Sequence, residues 1–390
     1  MLIWLQELES SFGPFRLFGY TSVRAVGAAL TAFIVMLLTM PWLIGWLRRK
    51  KFGEQGGKEE GAQVVDEMRL KKAGTPTMGG LGLIASLSLS VVLWCDPFEP
   101  FTWLLLTALW SFGLLGLLDD RTKIFKGAVG MRKRTKMVIQ LVVAVALGCW
   151  LVSVDDAYHI VDIAPIETAT GGWVWDVVGQ RSVDGVVTLP LIGLQNAVSI
   201  GSAGLVVWTV VISFACSNSV NFTDGMDGLA AGVMLIAVLA FMVIAYIASH
   251  FVAAHHLGIL HVPGAQEVAV CCAATAGACL GFLWFNAAPA KVFMGDTGSQ
   301  ALGGLLAMVS LCCKQEFLIL VVGFVFFMEG LSVAAQVGFF KATKGRRLLR
   351  CAPIHHHFQY LGWPETTIVM RFYVLAAVAA LFALVTLKLR

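Results

Sequence analysis

Long, continuously apolar segments recur from one end of this chain to the other, and they constrain its fold more than any other feature. A membrane-spanning helix needs about 20 predominantly apolar residues, whereas a transmembrane strand would show alternating polarity. Composition points the same way, because only 13% of the residues are charged, against roughly 25% in soluble domains. The sequence predicts an all-α integral membrane protein in which residues 1–390 form a single polytopic domain. The ten predicted transmembrane helices are 24–46, 78–95, 101–118, 137–154, 202–217, 228–248, 267–285, 299–313, 316–340 and 369–387.

Basic residues are distributed unevenly among the loops that join these segments. Alternate loops hold most of the 28 Lys and Arg residues. The positive-inside rule therefore predicts that these loops face the cytoplasm, and an even number of spans then places both termini on the extracytoplasmic side. The loops rich in basic residues are 48–77, 119–136, 218–227, 286–298 and 341–368.

Two segments are predicted to lie outside the spans on the extracytoplasmic side. Residues 1–20 contain no Lys or Arg before Arg16, so they lack the basic start of a signal peptide and are predicted to form an interfacial segment. Residues 155–200 contain glycines that separate short β-prone runs such as 186–189, and this pattern is typical of a small hairpin. Neither segment contains a pattern of residues that indicates chemistry.

Five carboxylates lie at the predicted cytoplasmic ends of the spans, and three separate loops supply them. Asp119 and Asp120 end the third span, Asp224 and Asp227 follow the fifth, and Asp296 precedes the eighth. Acidic residues are costly at a membrane, so they are candidates for function. Few basic residues stand beside the last three acids in sequence, so local ion pairing does not account for them. The acids predict a Mg²⁺ site, because Mg²⁺ takes one or two carboxylates and completes its shell with water and phosphate oxygens.

Each of these acids also has a simpler interpretation. Asp119 and Asp120 could be a solvated helix end, although a helix C-terminus disfavours anions. Asp224 and Asp227 could belong to a capped helix start, and they share a face if their segment is helical. Asp296 could be a helix cap. The presence of all five acids at one depth favours the metal site.

The same loops contain residues suited to bind a nucleotide or a phosphate. Lys72 precedes a turn-rich entry to the second span, and Lys136 opens the fourth. Phe293 stands close to Asp296, where it could stack on a nucleobase. His355 and His356 begin a run of three histidines, of which at least one is predicted to contact phosphate. Zinc is not expected there, because no Cys or acid stands near the run at ligand spacing.

Five strings carry most of these residues in a characteristic order. They are GTPTMGG at 74–80, DD at 119–120, NFTDGMDGLA at 221–230, FNAAPAKVFMGDTGS at 285–299 and APIHHHF at 352–358. In this order, over nearly the whole chain, they resemble the phospho-N-acetylmuramoyl-pentapeptide-transferase family. The histidine run separates this family from other transferases that act on polyprenyl phosphates. Met226 stands where the family usually has Leu, and Gln359 where Glu is common.

The resemblance implies an activity, a cofactor and partners. The expected reaction transfers phospho-MurNAc-pentapeptide from UDP-MurNAc-pentapeptide to undecaprenyl phosphate, with Mg²⁺, and gives lipid I and UMP for peptidoglycan synthesis. The expected location is the bacterial inner (cytoplasmic) membrane, with the active site on the cytoplasmic face. The resemblance also implies a homodimer of ten-helix subunits in contact with membrane lipid, with a broken ninth helix. No nucleic-acid partner is expected.

The resemblance also implies roles for particular residues. The expected catalytic residues are Asp119, Asp120, Asp296 and His355, with Asp296 as the Mg²⁺ ligand. The expected substrate-binding residues are Lys72, Thr77, Lys136, Asn218, Asn221, Asp224, Gly225, Met226, Asp227, Asn286, Phe293 and His356. Among them, the resemblance assigns Lys72, Gly225, Met226, Asp227 and Phe293 to the uridine pocket.

Three alternative functions remain open at this point. The first is the same reaction with another UDP-sugar such as UDP-GlcNAc, against which the histidine run argues. The second is a cation- or proton-coupled transporter, for which acids at mid-span would be expected. The third is a lipid-binding scaffold without chemistry. For the transferase itself, direct attack by the lipid phosphate and a two-step route through an aspartyl-phosphosugar intermediate are both open.

Overall fold

The computed structural model describes residues 1–50, 74–126, 130–155, 159–167, 173–182, 185–188 and 198–389. These residues contain thirteen α-helices and very little sheet, which confirms the predicted all-α membrane class. In chain order the helices are α1 Thr21–Arg49, α2 Gly80–Trp94, α3 Pro100–Lys126, α4 Lys133–Asp155, α5 Gly201–Thr223, α6 Leu229–Ala248, α7 Phe251–His256, α8 Ala265–Asn286, α9 Gly295–Cys312, α10 Ile319–Val322, α11 Phe324–Ala342, α12 Ile354–Tyr360 and α13 Glu365–Thr386.

Eight helices among the described residues are long and apolar enough to cross a membrane. Two further predicted spans correspond to α2, which has 15 residues, and to α9, which has 18 residues and a more polar composition. The predicted ninth span, 316–340, is interrupted at Gly323, where α10 ends and α11 begins. This is the broken helix that the family resemblance implies. The sides of the membrane on which the termini lie remain a prediction.

The hairpin expected within residues 155–200 is present. Strand β1 (His159–Glu167) pairs antiparallel with β2 (Trp173–Ser182), and the short β3 (Val186–Val187) pairs with β4 (Val198–Ser199). At the N-terminus, two short 3₁₀ segments, Leu2–Leu8 and Gly13–Gly19, precede α1.

Small residues let the central helices approach closely. Helix α8 packs between α1 and α6, and α9 packs between α3 and α5. A Cβ atom at Gly277 of α8 would overlap the backbone of Ala29, and one at Gly304 of α9 would overlap the ring of Phe112. Glycine is enriched where membrane helices cross because it lets the two backbones approach. The close packing fixes the start of α9 between the ends of α3 and α5.

Candidate active site

Helix α3 extends further than the sequence predicts. It continues to Lys126, so Asp119 and Asp120 lie inside it, and the prediction that they end the third helix is wrong. Both side chains are almost completely buried. The apolar run stops at residue 118, but backbone hydrogen bonding continues through the polar residues that follow, because it does not depend on apolar side chains. This extra length places Lys123 one turn beyond the two acids.

Asp120 holds the start of helix α9. Its Oδ1 accepts a hydrogen bond from the backbone N–H of Asp296 at 3.1 Å, and its Oδ2 accepts from the N–H and the hydroxyl of Thr297 at 2.9 and 2.7 Å. The first N–H groups of a helix have no partner within the helix, and a carboxylate there also balances the helix dipole. Both oxygens of Asp120 are therefore engaged in positioning Asp296. The interpretation of Asp296 as only a helix cap does not hold, because Asp120 supplies the capping carboxylate.

Asp119 and Asp296 face each other across two lysine side chains. The Lys123 Nζ lies 2.8 Å from Oδ1 of Asp296 and 3.4 Å from Oδ2 of Asp119. The Lys136 Nζ lies 2.8 Å from Oδ2 of Asp296 and 3.1 Å from Oδ2 of Asp119. Local ion pairing does not account for Asp296, as expected, but pairing with residues distant in sequence does. Its partners are distant in sequence, because α3 and α4 bring them to the start of α9.

The four charges form one cation–anion cluster at the end of the helix bundle. Each ammonium group contacts both carboxylates, so the space between Asp119 and Asp296 already suits positive charge. Lys136 was predicted to bind substrate, whereas Lys123 was not singled out among the basic residues of its loop. Its signal in the sequence is the i, i+4 spacing from Asp119, which has meaning only if the helix continues past Asp120.

The donor groups of this cluster fit Mg²⁺. Mg²⁺ prefers hard oxygen ligands, and one or two carboxylates suffice when a substrate supplies phosphate oxygens. Asp296 offers a carboxylate that is partly accessible, with 13% of the side chain exposed. The residues that the structure describes contain no preformed group of three or more His, Cys, Asp or Glu residues for a metal. Asp296 could hold a metal ion whose other ligands are water and phosphate oxygens.

The GTPTMGG string forms backbone hydrogen bonds with the segment that precedes α9. The N–H of Gly79 donates to the carbonyl of Phe293 at 2.8 Å, and the N–H of Gly80 donates to that of Met294 at 2.9 Å. Thr77 lies within this pairing and is partly exposed. Its contact with substrate remains a prediction.

Two asparagines of α5 lie near the acids but make different contacts. Asn221 Nδ2 lies 3.4 Å from Oδ2 of Asp296, and its Oδ1 accepts a hydrogen bond from Ser299 Oγ at 3.0 Å. Asn218 donates to the Phe214 carbonyl of its own helix at 2.8 Å and lies 3.3 Å from Oε1 of Gln140. Asn221 thus contacts the cation–anion cluster, whereas Asn218, one turn away, contacts Gln140 of α4.

Asp224 and Asp227 lie in the turn between α5 and α6. They do not share a helical face, because α5 ends at Thr223 and α6 begins at Leu229. Asp227 is buried, and its Oδ2 accepts a hydrogen bond from the backbone N–H of Ala290 at 3.0 Å. Its own N–H donates to Oε1 of Glu365 at 2.8 Å. Asp227 therefore ties its turn to the loop after α8 and to the start of α13.

Asn286 secures the same turn from the end of α8. Its Oδ1 accepts a hydrogen bond from the N–H of Gly228 at 3.0 Å, and its Nδ2 donates to the carbonyl of Val292 at 2.8 Å. Met226 is buried under this turn, while Phe293 is partly exposed. Of the residues predicted to bind uridine, Gly225, Met226 and Asp227 lie in this turn.

The three histidines diverge, as expected for consecutive residues on the short helix α12. His355 is completely buried, and its Nδ1 lies 3.0 Å from Oε2 of Glu329. His356 is partly exposed and lies 2.7 Å from Oε1 of Gln359. His357 Nδ1 accepts a hydrogen bond from the backbone N–H of Arg350 at 3.2 Å. Sequence reasoning missed Glu329, which stands in an apolar run well before the histidines.

One predicted site residue cannot be placed, because Lys72 lies outside the described residues. The others meet at one end of the bundle, where α3, α5 and α8 end and α4, α6 and α9 begin. The site has an acidic cluster with two lysines, a polar turn that carries the predicted uridine contacts, and a buried histidine beneath that turn.

A helical membrane fold with a site of acids and lysines that suits phosphate groups is typical of a membrane-embedded transferase. Residues 102–314 match the family model described as Glycosyl transferase family 4. Three relatives that match over the full chain are each named phospho-N-acetylmuramoyl-pentapeptide-transferase. The relative from Desulfotalea psychrophila is 39% identical over 387 residues, which cover 99% of each chain. The relative from Desulfatibacillum aliphaticivorans is 40% identical over 387 residues, with 99% of each chain covered. The relative from Solibacter usitatus is 38% identical over 389 residues, which cover 99% of this chain and 98% of the relative. The chain belongs to the phospho-N-acetylmuramoyl-pentapeptide-transferase family, as the order of its motifs predicted.

Proposed function

We propose that this protein transfers phospho-MurNAc-pentapeptide from UDP-MurNAc-pentapeptide to undecaprenyl phosphate and releases UMP, which makes lipid I for peptidoglycan synthesis. The observation that carries the proposal is the cluster in which Lys123 and Lys136 each contact Asp119 and Asp296. Transfer of a phosphoryl group requires positioned positive charge on the phosphate oxygens and little covalent chemistry from the protein. The cluster supplies this charge in a chain that belongs to the family.

Each residue of the cluster has a separate role in the proposed reaction. Lys123 and Lys136 bind diphosphate oxygens through their remaining hydrogens and keep their contacts with Asp119. Asp296 would hold Mg²⁺, which when bound supplies charge neutralisation on the diphosphate. Asp120 keeps Asp296 in place through the two N–H groups at the start of α9.

Direct attack by the lipid phosphate is the route that the contacts of Asp119 support. Its Oδ1 accepts a hydrogen bond from the N–H of Met131 at 2.6 Å, and its Oδ2 contacts both lysines. A carboxylate engaged at both oxygens is a poor nucleophile, because its charge is already stabilised. A lipid phosphate has a second pKa of about 6 and is largely dianionic at neutral pH. Asp119 then positions the attacking phosphate and takes any proton that it still carries.

The donor nucleotide extends from the cluster to the turn between α5 and α6. Phe293 stands three residues before Asp296, so one short segment brings a ring for the uracil close to the carboxylate for the diphosphate. Asp227 and Asn286 fix the turn between α5 and α6 through contacts with Ala290 and Gly228. In the proposed pocket, adjacent parts of the chain therefore bind the base and the diphosphate.

We also propose that the protein works as a homodimer in the bacterial inner membrane, with this site on the cytoplasmic side. The outward faces of α1 and α13 carry exposed apolar side chains such as Leu38, Trp42, Met370 and Leu381, which suit lipid. The concentration of Lys and Arg in the loops at the end of the bundle that holds the site supports the orientation.

The test of the activity uses the purified protein in detergent with UDP-MurNAc-pentapeptide, undecaprenyl phosphate and Mg²⁺, and it measures UMP release. We expect release that requires both the lipid and the metal. UDP-GlcNAc serves as the competing donor, and faster release with it would overturn the assignment of the sugar. UMP release without the lipid acceptor, together with a phosphorylated aspartate, would overturn direct attack.

The lysine that the sequence did not single out gives a second prediction. We expect Lys123→Gln to lower kcat/KM about 10²-fold, because removal of one positioned charge from a developing anion typically costs that much. The matched control is Arg121→Gln, which removes a positive charge from the same helix at an exposed position over the Phe125 ring. Equal losses in the two variants would show that only the general positive field of the loop matters.

A further inference from the structure

Helix α11 contains an acidic residue with no solvent exposure. Glu329 is 0% exposed, and its helix is one of the eight that suit a membrane span. An ionised carboxylate is retained in such a place only when it is paired, because burial removes its hydration. The partner of Glu329 is His355, whose side chain is also 0% exposed.

The contact fixes which imidazole nitrogen carries a hydrogen. The Nδ1 of His355 lies 3.0 Å from Oε2 of Glu329. With the carboxylate ionised, Nδ1 donates this hydrogen bond, because an ionised carboxylate only accepts. In the tautomer with the hydrogen on Nδ1, Nε2 is a hydrogen-bond acceptor. The dyad thus presents Nε2 as the free edge of the ring.

That free edge faces the turn that holds the predicted uridine contacts. A Cβ atom at Gly225 would overlap Nε2 of His355 and would lie 2.9 Å from its Cε1. Nε2 is buried and finds no hydrogen-bond partner among the described parts of the chain. Buried polar groups nearly always have partners, so one without any points to a ligand or group that arrives from outside.

The surroundings of Glu329 hold the dyad firmly. Ser332, one turn further along α11, accepts a hydrogen bond from the N–H of Ile354 at 3.0 Å and donates to the carbonyl of Glu329 at 2.6 Å. Gly330 permits close contact with Ser219 of α5, because a Cβ there would overlap the serine hydroxyl. Helix α11 is therefore packed against the site helix α5 and the start of α12 together.

We propose that Glu329 is a positioning residue that holds the His355 ring with Nε2 directed at the 224–227 turn, where Nε2 accepts a hydrogen bond from a hydroxyl group of the UDP-linked donor. This inference rests on the proposed function for the identity of the donor. The orientation of the ring by Glu329 does not depend on it.

The test observes the ring directly by NMR of the full-length protein in detergent, labelled with ¹⁵N-histidine. The chain has 8 histidines, and the spectrum of His355→Asn identifies the signals of His355. We expect a protonated Nδ1 in the wild type and a changed Nδ1 signal in Glu329→Gln. UMP with Mg²⁺ mimics only part of the donor, so UDP-MurNAc-pentapeptide with Mg²⁺ is the probe, and we expect it to shift the Nε2 signal.

Kinetics separate positioning from a merely structural role. We expect Glu329→Gln to lower kcat/KM for the donor about 10- to 100-fold, because the loss of a ring-orienting partner typically has an effect of this size. The KM for the lipid acceptor should stay unchanged. Glu329→Asp, which keeps the carboxylate, should partly restore activity. The matched control is Ser332→Ala, which removes the other contact between α11 and α12 and leaves the dyad intact. We expect it to leave the Nδ1 signal unchanged.

The proposal is overturned if Glu329→Gln leaves the Nδ1 signal unchanged, if the donor does not move the Nε2 signal, or if Ser332→Ala reproduces both effects. Should Glu329→Gln fail to fold, Gly225→Ala tests the same geometry from the exposed turn, and an unchanged Nε2 signal in that variant would also overturn it. A protein that shows the Glu329-dependent Nδ1 signal but releases no UMP would contradict the proposed function and leave the ring orientation established.

Discussion

Replacing Asp296 by asparagine is expected to lower the rate of UMP release by on the order of 10³-fold or more. The asparagine keeps an oxygen at the same position but loses the charge that Lys123 and Lys136 contact at 2.8 Å each. The two ammonium groups then share Asp119 alone, and the metal loses its proposed carboxylate ligand. The measurement is the initial rate of UMP release over a series of Mg²⁺ concentrations.

Metal binding gives this prediction a readout that is independent of turnover. We expect the wild type to bind Mn²⁺ in the presence of UDP-MurNAc-pentapeptide, as measured by electron paramagnetic resonance, and Asp296→Asn to bind it much more weakly. The control is Asp96→Asn, which removes a carboxylate from the connection between α2 and α3 at the opposite end of these helices. Full Mn²⁺ binding by a folded but inactive Asp296→Asn protein would contradict the assignment of Asp296 as the metal ligand.

Local sequence was sufficient to predict the helices and the loops that carry the chemistry. An apolar run of about 20 residues has few alternatives to a spanning helix, because lipid leaves no other partner for the backbone groups. The acids could be assigned to one depth for the same reason, since each stands at the edge of such a run. A break in the ninth helix was expected from the family resemblance, but its position at Gly323 was not predicted.

The partners of those acids could not be predicted, because they come from elsewhere in the chain. Lys136 reaches Asp296 across 160 residues of sequence, and no local pattern records that contact. Lys123 is local to Asp119, but its position depends on a helix that continues beyond its apolar segment. The role of Asp120 as the cap of α9 likewise requires knowledge of which helix ends there. The sequence identified the acidic and basic residues of the site. Only the packing of the helices shows which of these residues hold others in place.

The contact between Glu329 and His355 could not be predicted from the sequence either. A histidine in a polar loop is expected to be solvated, whereas His355 is completely buried because the short helix α12 packs against α11. Its partner is a single acid within an apolar run, which the sequence alone presents as an isolated anomaly. Only the structure shows that the two residues form a pair.

Replacing Gly116 by alanine is expected to lower kcat/KM for transfer by about 10²-fold, which is the typical cost of displacing a reacting group by about 1 Å. A Cβ atom at this position of α3 would overlap the backbone carbonyl of Asp296 and would lie 2.7 Å from Cα of Thr297. Backbone atoms cannot rotate away as a side chain can, so the start of α9 must shift and carry the Asp296 carboxylate away from the two lysines.

The control for this prediction lies one turn earlier on the same helix. A Cβ atom at Gly113 would lie 2.7 Å from Cδ1 of Ile84, which is the end of a flexible side chain, and 3.3 Å from Cβ of Ala301. Gly113→Ala therefore adds the same methyl group to the same helix at a contact that rotation of Ile84 can relieve, and we expect it to change kcat/KM much less. The comparison uses UMP release, with thermal unfolding of both variants as the measure of folding. If the two variants lose activity equally at equal thermal stability, the site does not depend on the close approach of α3 to the start of α9. If only Gly116→Ala loses activity, the position of Asp296 is set by that approach, because the two substitutions differ only in what the new methyl group meets.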